Sequence, residues 1–447
     1  SNTLVQLAGE PNVHADLRPV ADGMVVTTQN VWGTAENDRM ALLDRLGRFM
    51  PVGFYYRTFF RPGKQGWYKL WEPLIRKSAG LGAVDLNAAA GDYIRENLHA
   101  DVLVVGAGPA GLSAAITAAQ AGADVLLVDA NPEIGGALTY ARISVDPTEV
   151  GATLSRLQAE AETLPNLRIM LGATCNGWFA DNFLPVIQDN RLYRVRAKEV
   201  VVAAGGQEQP MVFRNNDLPG IMVSSAAQRL MRHYAVRPGK RAVVLAGNRD
   251  GYLAALDLVD AGVTVAGVLD PRPEPSCPDA AERLRRQGVP IVAGAVPRQA
   301  CATSGNRHVC GVLFSAPGKT EDRIDCDLLV VAVGYTPSYQ LPLNAGARLD
   351  YDDAHQQFIL ANLPSAMHVA GSTAGYFDLA EVIQSGTVAG AAAAIGAGFA
   401  RAMPPAPARP GPGMTYAPPL SAHPDGRDFV DFDEDLQVKD IRNAVDD

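Results

Sequence analysis

The stretch DVLVVGAGPAGLSAA constrains the fold more than any other part of the chain. Its run VLVV predicts a strand buried on both faces, and the small residues from Pro109 to about Ala121 predict a helix. Gly106, Gly108 and Gly111 lie at the junction with the spacing G-x-G-x-x-G. Such glycines permit a tight turn, a close approach of the backbone to a pyrophosphate, and close helix–strand packing. The stretch therefore predicts a strand–turn–helix unit that binds a dinucleotide.

Two features after this turn extend the predicted site. Asp129 ends the next predicted strand, where a carboxylate accepts hydrogen bonds from both ribose hydroxyls and repels a 2′-phosphate. This position favours NAD or FAD over NADP. The segment PEIGGAL follows, and its Gly135 and Gly136 suit a close approach of the backbone to the same ligand.

A second stretch, RAVVLAGNRDG, aligns with DVLVVGAGPAG but lacks most of its glycines. Ala246 replaces the first glycine, Asn248 replaces the second, and Asp250 stands where the first turn has Ala110. A carboxylate facing a pyrophosphate would cost on the order of several kcal/mol. The sequence therefore predicts a retained fold with a degraded phosphate site. A structural scaffold is the main interpretation, and a substitute ligand is the alternative.

These patterns predict an α/β protein with two Rossmann-like dinucleotide-binding units, the second inserted in the first. An aromatic stripe of Trp67, Leu70, Trp71 and Leu74 precedes them and suggests core or subunit contacts, with Pro73 expected to bend or end its helix. The predicted segments are a 1–97 N-terminal extension, the first unit at 98–216 and 327–402, the inserted second unit at 217–326, and a Pro/Gly-rich linker at 403–447.

Composition excludes several classes of function. The chain has 447 residues and a net charge of -9, and it has no long basic run, which argues against nucleic-acid partners. No apolar run of about 18 residues is evident, so no membrane span is expected. The five cysteines form no CxxC pair, which argues against zinc, iron–sulfur and redox-disulfide sites. An odd number of cysteines suits a cytoplasmic location.

Three further segments make the chain resemble the glutathione-reductase-like flavoproteins with two dinucleotide folds. They are RAKEVVVAAGGQEQP, DLLVVAVGYTPS and HVAGSTAGYFDLAEV. In the last of these, Gly371-Ser372 stands where that family usually has Gly-Asp, whose Asp binds the ribityl chain of FAD. NAD has no ribityl chain, so the substitution favours NAD in the first unit.

A narrower resemblance rests on GEPNV, TQNVW, GFYYRTFF, WEPLIRKSAGLG, NNDLPGIM and FVDFDEDLQVKD. These segments are similar to α-subunits of heterotetrameric sarcosine oxidases, which are related to N-methylglutamate dehydrogenase. The resemblance implies oxidative N-demethylation of a secondary amine such as sarcosine. It implies NAD in this chain, FAD in a β-subunit that oxidises the amine, FMN at the α/β contact, and smaller γ- and δ-subunits. It also implies a tetrahydrofolate-binding domain, absent here, that would begin near FVDFDEDL.

The resemblance implies cofactor-binding residues in this chain and no catalytic residue or metal ligand. Ala137 stands where the family commonly has Thr, and the backbone near Cys175 would frame the adenine. The full predicted set is Gly106, Gly108, Pro109, Ala110, Gly111, Asp129, Ala130, Asn131, Gly135, Gly136, Ala137, Cys175, Ala204, Gly205, Gly371, Ser372, Phe377 and Leu379.

Three other functions remain open at this point. The chain could be the FAD-binding α-subunit of an opine, proline or hydroxyproline dehydrogenase, although those relatives usually carry a cysteine-rich segment that is missing after Cys326. A self-sufficient NAD(P)H-dependent flavin reductase is a second alternative, which the degraded second turn opposes. A non-catalytic scaffold with a structural dinucleotide is the third.

Overall fold

The chain forms two compact bodies, Ser1–Asp92 and Tyr93–Asp447. The predicted boundary between residues 97 and 98 falls close to this division. The computed structural model describes residues 4–8, 10–15, 18–29, 31–34, 37–39, 66–78, 92–146, 148–305, 307–353, 357–400, 402–408, 421–432 and 434–446.

The N-terminal body contains a small antiparallel sheet and a helix. In the sheet, Leu4–Leu7 pairs with both Glu10–His14 and Val26–Thr28, and a short hairpin joins Gly33–Thr34 to Asn37–Asp38. The predicted aromatic stripe is helical. It runs as a π-helical turn, Trp67–Trp71, and then as an α-helix, Glu72–Ser78. The segment GFYYRTFF lies outside the described residues.

Of the two effects expected of Pro73, a bend or an end of the helix, the structure excludes the end. It lies where the π-helical turn changes into the α-helix, and the backbone N–H of Glu72 bonds to the carbonyl of Trp67. A wider turn keeps the proline ring away from the carbonyl that an α-helical turn would place against it.

The first Rossmann-like unit is built on a seven-stranded sheet. Val125–Asp129 and Arg191–Val202 flank the long strand Ile94–Val105, and both pair with it in parallel. The strands in spatial order are Leu167–Leu171, Val125–Asp129, Ile94–Val105, Arg191–Val202, Phe183–Gln188 and Ala173–Cys175, with Met367–Val369 also paired to Arg191–Val202. Its helices are Pro109–Gln120, Thr148–Glu162 and Leu379–Gly396, with 3₁₀ turns at Gly136–Thr139 and Gly371–Ala374.

The second unit has a five-stranded parallel sheet. In spatial order its strands are Ile221–Val223, Leu328–Ala332, Arg241–Ala246, Thr264–Asp270 and Ile291–Ala293. Its helices are Ser224–Tyr234, Arg249–Asp260 and Pro278–Arg286, and an antiparallel sheet of Val296–Ala302, Val309–Ala316 and Lys319–Ile324 is attached. The predicted boundary between residues 326 and 327 therefore differs from the topology by one strand. Leu328–Ala332, assigned to the first unit from sequence, lies in the second sheet between Ile221–Val223 and Arg241–Ala246.

Short strand pairs join the two units. Gly206–Glu208 pairs with Tyr335–Pro337, so the chain leaves and re-enters the first unit through adjacent strands. The helix Gln340–Asn344 and the hairpin of Arg348–Asp352 with Gln357–Ala361 follow. The second unit is thus inserted into the first through this two-stranded ribbon.

The C-terminal segment packs against the chain instead of extending as a simple linker. The pair Phe429–Asp431 and Leu436–Gln437 leads into the helix Val438–Asp446. The Asn216 side chain donates to the carbonyl of Phe429 at 2.8 Å and accepts from its N–H at 3.1 Å. Arg427 also pairs with Asp217 at 3.1 Å. The motif NND therefore serves as a docking loop for this segment.

The helix Leu379–Gly396, called the closing helix below, is long and apolar enough to cross a membrane by length and composition. The sequence patterns had predicted no such run. Contacts identify its role in this fold. Side chains added at Gly386 and Gly390 would lie 2.1 and 2.2 Å from the carbonyl oxygens of Ala110 and Ala114. The helix therefore packs backbone to backbone on Pro109–Gln120 as part of the core.

A buried ion-pair network holds the two Rossmann-like units together. Arg142, from the first unit, is 3% exposed, and its guanidinium contacts Asp257 at 3.4 Å and Asp260 at 2.7 Å in the second. The same guanidinium donates to the carbonyls of Ser144 and Val145. Because each buried charge is compensated, the network fixes the orientation of the helix Arg249–Asp260 over the first unit.

Candidate functional site

The first turn has the geometry that its glycines predicted. Gly106 has a φ of 106°, and a Cβ there would lie 2.3 Å from the carbonyl oxygen of Ala203. At Gly111, a Cβ would lie 1.7 Å from the carbonyl oxygen of Gly106. These two glycines let the helix Pro109–Gln120, the first-turn helix, start directly against the sheet. Gly108 precedes the helix and supplies no capping side chain, so the first-turn N–H groups face the cleft.

Asp129 lies at the cleft, and hydrogen bonds from neighbouring N–H groups hold its carboxylate in place. Its Oδ2 accepts from the N–H of Ala107 at 2.5 Å, and its Oδ1 accepts from the backbone and side-chain N–H groups of Asn131 at 2.7 and 2.8 Å. A carboxylate oxygen has two acceptor positions. The arrangement therefore orients the carboxylate and leaves acceptor capacity for ribose hydroxyls.

The segment PEIGGAL closes over the first turn. A Cβ on Gly136 would lie 2.9 Å from the Cα of Gly108, so the two backbones touch. Gly135 instead faces the helix Thr148–Glu162, because a Cβ there would lie 2.9 Å from the side chain of Leu154. Gly136 has the predicted position at the cleft and Gly135 does not.

A cleft of about 730 Å³ runs along these elements. Most of the predicted cofactor-binding residues line it, whereas Gly111 and Gly135 lie behind its wall. The predicted residues that line it are Gly106, Gly108, Pro109, Ala110, Asp129, Ala130, Asn131, Gly136, Ala137, Cys175, Ala204, Gly205, Gly371, Ser372, Phe377 and Leu379.

The segment HVAGSTAGYFDLAEV completes the floor of the cleft. Gly371 has a φ of 65°, and a Cβ there would lie 2.8 Å from the Cβ of Ala110. Its N–H donates to Ser385 Oγ at 2.8 Å, and the Thr373 hydroxyl donates to the carbonyl of Gly205 at 3.0 Å. These bonds hold Ser372 at the cleft.

The second unit supplies a wall of the cleft that the sequence patterns did not predict. The helix Ser224–Tyr234, called the roof helix, lies across it, and Arg249 and Asp250 enter from the second turn. Glu208 caps the roof helix by accepting from the Ser224 hydroxyl at 2.6 Å and the Ser225 N–H at 2.8 Å. The second-unit residues at the cleft are Ser225, Gln228, Arg229, His233, Tyr234, Arg249 and Asp250. The degraded motif was the available signal, but its sequence does not show that it faces the first site.

The second turn is closed by its own side chains. Asn248 Oδ1 accepts from the N–H of Asp250 at 3.1 Å, which caps the helix Arg249–Asp260, the second-turn helix. A Cβ on Gly247 would lie 2.9 Å from the Cα of Val333, and one on Gly251 would lie 2.6 Å from the Cβ of Ala246. The strand–helix packing is therefore kept, while a donor that a phosphate would use is occupied.

Asp250 points to the first cleft and not to a separate phosphate site. The Tyr335 hydroxyl donates to Asp250 Oδ2 at 2.9 Å, and the Tyr335 ring stacks on Phe377 with centroids 5.4 Å apart. Burial raises the pKa of the Asp250 carboxyl, although Arg249 and Tyr335 act in the opposite direction. Burial also raises the pKa of Glu208. Of these two carboxyls, Asp250 lines the cleft, and a carboxyl with a raised pKa in a cleft is typical of a functional site.

The cysteines and His368 supply no evident redox or metal site. Cys175 is a free thiol at the cleft whose pKa is raised to about 11 by burial. His368 Nε2 lies 2.9 Å from Glu199 Oε2 beside a second cavity of about 400 Å³. Within the described ranges, no three His, Cys, Asp or Glu side chains are grouped as metal ligands.

Comparisons with known proteins support the resemblance. The sarcosine oxidase alpha subunit of Rhizobium meliloti (strain 1021) is 32% identical over 98% of this chain and 45% of its own length. That of Corynebacterium sp. (strain P-1) is 32% identical over 82% of this chain and 40% of its own length. This chain thus spans about half the length of these relatives. An opine oxidase subunit from Agrobacterium tumefaciens (strain Ach5) is 29% identical over 66% of this chain and 65% of its own length.

Solved structures agree on the fold. The thioredoxin reductase of T. acidophilum superposes with a TM-score of 0.51 at 20% identity, covering 67% of this chain and 97% of that one. The thioredoxin reductase of Lactococcus lactis gives 0.53 at 14% identity, covering 67% and 99%. These likenesses confirm the predicted α/β fold with two dinucleotide-binding units.

A family model supports the same conclusion at the level of sequence. The model described as pyridine nucleotide-disulphide oxidoreductase matches residues 100–359, which include both turns and the roof helix. This match covers more than half of the chain. The chain therefore belongs to the pyridine nucleotide-disulphide oxidoreductase family.

Proposed function

We propose that this chain is the NAD-binding part of the α-subunit of a sarcosine-oxidase-type complex that oxidises and demethylates a secondary amine. The observation that carries the proposal is the difference between the two turns. One leaves its helix N-terminus open to a large cleft, and the other is capped by Asn248 and sends Asp250 into that same cleft. A reductase fed by a nicotinamide nucleotide needs a second open turn, so electrons come from the amine through a partner subunit.

The cleft suits a dinucleotide. The uncapped first-turn helix and Gly108 would hold the pyrophosphate, Asp129 would hold the adenosine ribose, and Phe377 with Leu379 would line the ring end. When bound, NAD supplies a nicotinamide ring that exists in a cationic oxidised form and a neutral reduced form. Ser372 at the cleft favours NAD over FAD, since a hydroxyl replaces the carboxylate expected for a ribityl chain.

The proposed complex follows the sarcosine oxidase relatives. A β-subunit with FAD would oxidise the amine, FMN would lie at its contact with this chain, and smaller γ- and δ-subunits would complete a heterotetramer. Tetrahydrofolate would bind another domain of the complex. A cytoplasmic location completes the proposal.

Cofactor extraction tests the NAD assignment. Protein purified without added nucleotide is denatured in acid, and the released compounds are identified by mass spectrometry. The expected result is close to one NAD per chain. Recovery of FAD in place of NAD contradicts the assignment.

Co-expression tests the partner assignment. This chain is produced with a candidate FAD-containing β-subunit, and the purified complex is assayed with sarcosine and N-methylglutamate. Formaldehyde release by the complex, and not by this chain alone, is expected. Activity of the isolated chain with an amine contradicts the division of labour.

The opine oxidase match supports a second candidate. That relative shares 66% of this chain and 65% of its own length in the alignment. In this case FAD would occupy the first cleft and the substrate would be an opine or an imino acid. A flavin absorption spectrum from the isolated chain would distinguish this candidate from the first.

A further inference from the structure

Arg249 and Asp250 place charge at one end of the first cleft. They open the second-turn helix, and both line the cleft wall. The bond from Tyr335 to Asp250 and the stacking of Tyr335 on Phe377 put this carboxylate beside the aromatic end. Phe377 is one of the residues proposed above to line the ring end of the dinucleotide. Asp250 therefore lies where a nicotinamide ring is expected.

The surrounding charges at this end are mainly negative. Arg249 is committed to Asp378 at 3.1 Å and also donates to the carbonyl of Ile143. Glu381 interacts with both Asp378 and Arg249, and Glu208 interacts with Asp250. Three carboxyl groups, on Asp250, Asp378 and Glu381, thus interact with the guanidinium of Arg249, and Glu208 adds a fourth carboxyl beside Asp250. The surroundings of Asp250 at this end of the cleft therefore favour a cation.

At the other end of the cleft, Arg229 of the roof helix places a positive charge over the phosphate loop. Arg229 on the roof helix lies over the Tyr140 ring, with its guanidinium carbon 4.3 Å from the centroid, and donates to the Tyr140 hydroxyl at 3.2 Å. His233 contacts the Thr139 hydroxyl at 3.4 Å. The turn that carries Thr139 and Tyr140 begins at Gly136, which touches Gly108. The charge pattern along the cleft therefore complements an anionic pyrophosphate joined to a cationic ring.

We propose that Asp250 makes the cleft selective for the oxidised, cationic nicotinamide ring over the reduced, neutral ring. The inference rests on the proposed assignment of NAD to this cleft. A carboxylate attracts the cationic ring, whereas the neutral ring gains no such Coulomb energy and leaves the carboxylate uncompensated. Burial raises the pKa of Asp250, and a neighbouring cation restores its ionised form.

The selectivity has a direct consequence for the bound dinucleotide. A site that prefers the oxidised ring lowers the tendency of that ring to accept hydride, because binding energy is lost on reduction. The dinucleotide then stays as NAD⁺ while electrons pass through the partner's flavins. The degraded second turn has thus become a specificity element of the first site.

Separate titrations with NAD⁺ and NADH test the inference. The full chain, stripped of nucleotide, is titrated with each compound by calorimetry at pH 7.5. The native chain should bind NAD⁺ at least about tenfold more tightly than NADH, and Asp250→Asn should reduce this ratio by about tenfold. Nucleotide extracted from the native protein should be NAD⁺.

Two variants separate charge from other effects. Tyr335→Phe removes the hydroxyl that donates to Asp250 and favours its ionised form, so the NAD⁺/NADH preference should fall, but by less than in Asp250→Asn. Glu282→Gln removes an exposed carboxylate on the helix Pro278–Arg286 and should leave both constants unchanged.

The outcomes distinguish this inference from the proposed function. Equal NAD⁺/NADH ratios in the native chain and Asp250→Asn overturn the inference and leave the NAD assignment standing. Binding of FAD, with no binding of either nicotinamide nucleotide, overturns the NAD assignment and the inference together. Circular dichroism of each variant verifies that the fold is kept.

Discussion

The first and second turns have the same backbone plan and opposite chemistry. In both, a glycine inside the helix lets it pack on the strand: Gly111 in the first and Gly251 in the second. At the helix start, Gly108 leaves the first-turn N–H groups open, whereas Asn248 caps the second. The difference shows that the glycine inside the helix and the glycine at the start of the helix have independent roles. A unit can lose the glycine at the start of its helix and still keep its fold.

Gly111→Ala should have the largest effect. Its Cβ would lie 1.7 Å from the carbonyl oxygen of Gly106, a contact that only a shift of backbone can relieve. We expect the free energy of unfolding to fall by at least about 4 kcal/mol, measured by thermal and urea denaturation. Gly151→Ala is the matched control, because no atom lies within 4 Å of its added Cβ and helix propensity improves. Equal stability of the two variants would contradict the packing role.

Arg142→Ala should follow in size. Removal of the guanidinium leaves Asp257, which is 3% exposed, without one of its cationic partners. It also removes the ion pairs that hold the second-turn helix against the first unit. We expect a loss of about 3 kcal/mol in the free energy of unfolding. The control Arg156→Ala breaks an exposed pair with Glu160 and should cost less than about 0.5 kcal/mol. A small loss for Arg142→Ala would show that these ion pairs do not fix the two units.

Gly108→Ala should separate ligand binding from packing. The nearest atom to its added Cβ is the Cα of Gly136 at 4.0 Å, so the protein itself has room for the methyl group. Unfolding of the nucleotide-free chain should stay within about 0.5 kcal/mol of native, because no contact is lost. The dissociation constant for NAD⁺ should rise at least about tenfold, because the methyl group blocks the approach of the pyrophosphate. Unchanged affinity would show that no phosphate lies on Gly108.

Asp250→Asn should have a small effect on stability, with a sign opposite to that of Gly111→Ala and Arg142→Ala. The raised pKa of Asp250 means that the folded state binds its proton more tightly than the unfolded state does. Its contribution therefore becomes less favourable as pH rises from about 4 through the folded pKa. Without nucleotide, the variant should be more stable than native by about 1 kcal/mol at pH 8, with the difference shrinking towards pH 5. Denaturation across this range provides the measurement, and a difference that grows at low pH contradicts the assignment.

Local patterns in the sequence were enough for the first unit. Glycine spacing, the apolar run before it and the acid after the next strand describe interactions between neighbours in the chain, and the cleft contains most of the residues predicted from them. Gly111 and Gly135 show the limit of this reasoning. Both belong to the motif, but one packs the helix and the other faces Leu154. A motif does not by itself separate residues that contact a ligand from residues that support them.

The features that the sequence patterns did not predict depend on contacts between residues far apart in the chain. Leu328–Ala332 and the first unit's strands have the same buried apolar pattern, so periodicity could not assign the strand to the second sheet. The position of Asp250 in the cleft depends on the buried ion pairs of Arg142 and on the two-stranded ribbon that joins the two units. These contacts join residues more than one hundred positions apart, which no local signal records.

The capping side chain of Asn248 also bears on how the molecule is assembled. The Asn248 side chain satisfies one N–H group at the start of its own helix without any ligand, so the start of the second-turn helix is stabilised before any nucleotide is present. The first-turn helix has no such capping side chain, and under the proposed function its free N–H groups would gain partners from the phosphates of the bound nucleotide. The inserted unit, made in the middle of the chain, would then act as a finished template on which the cofactor-dependent unit closes.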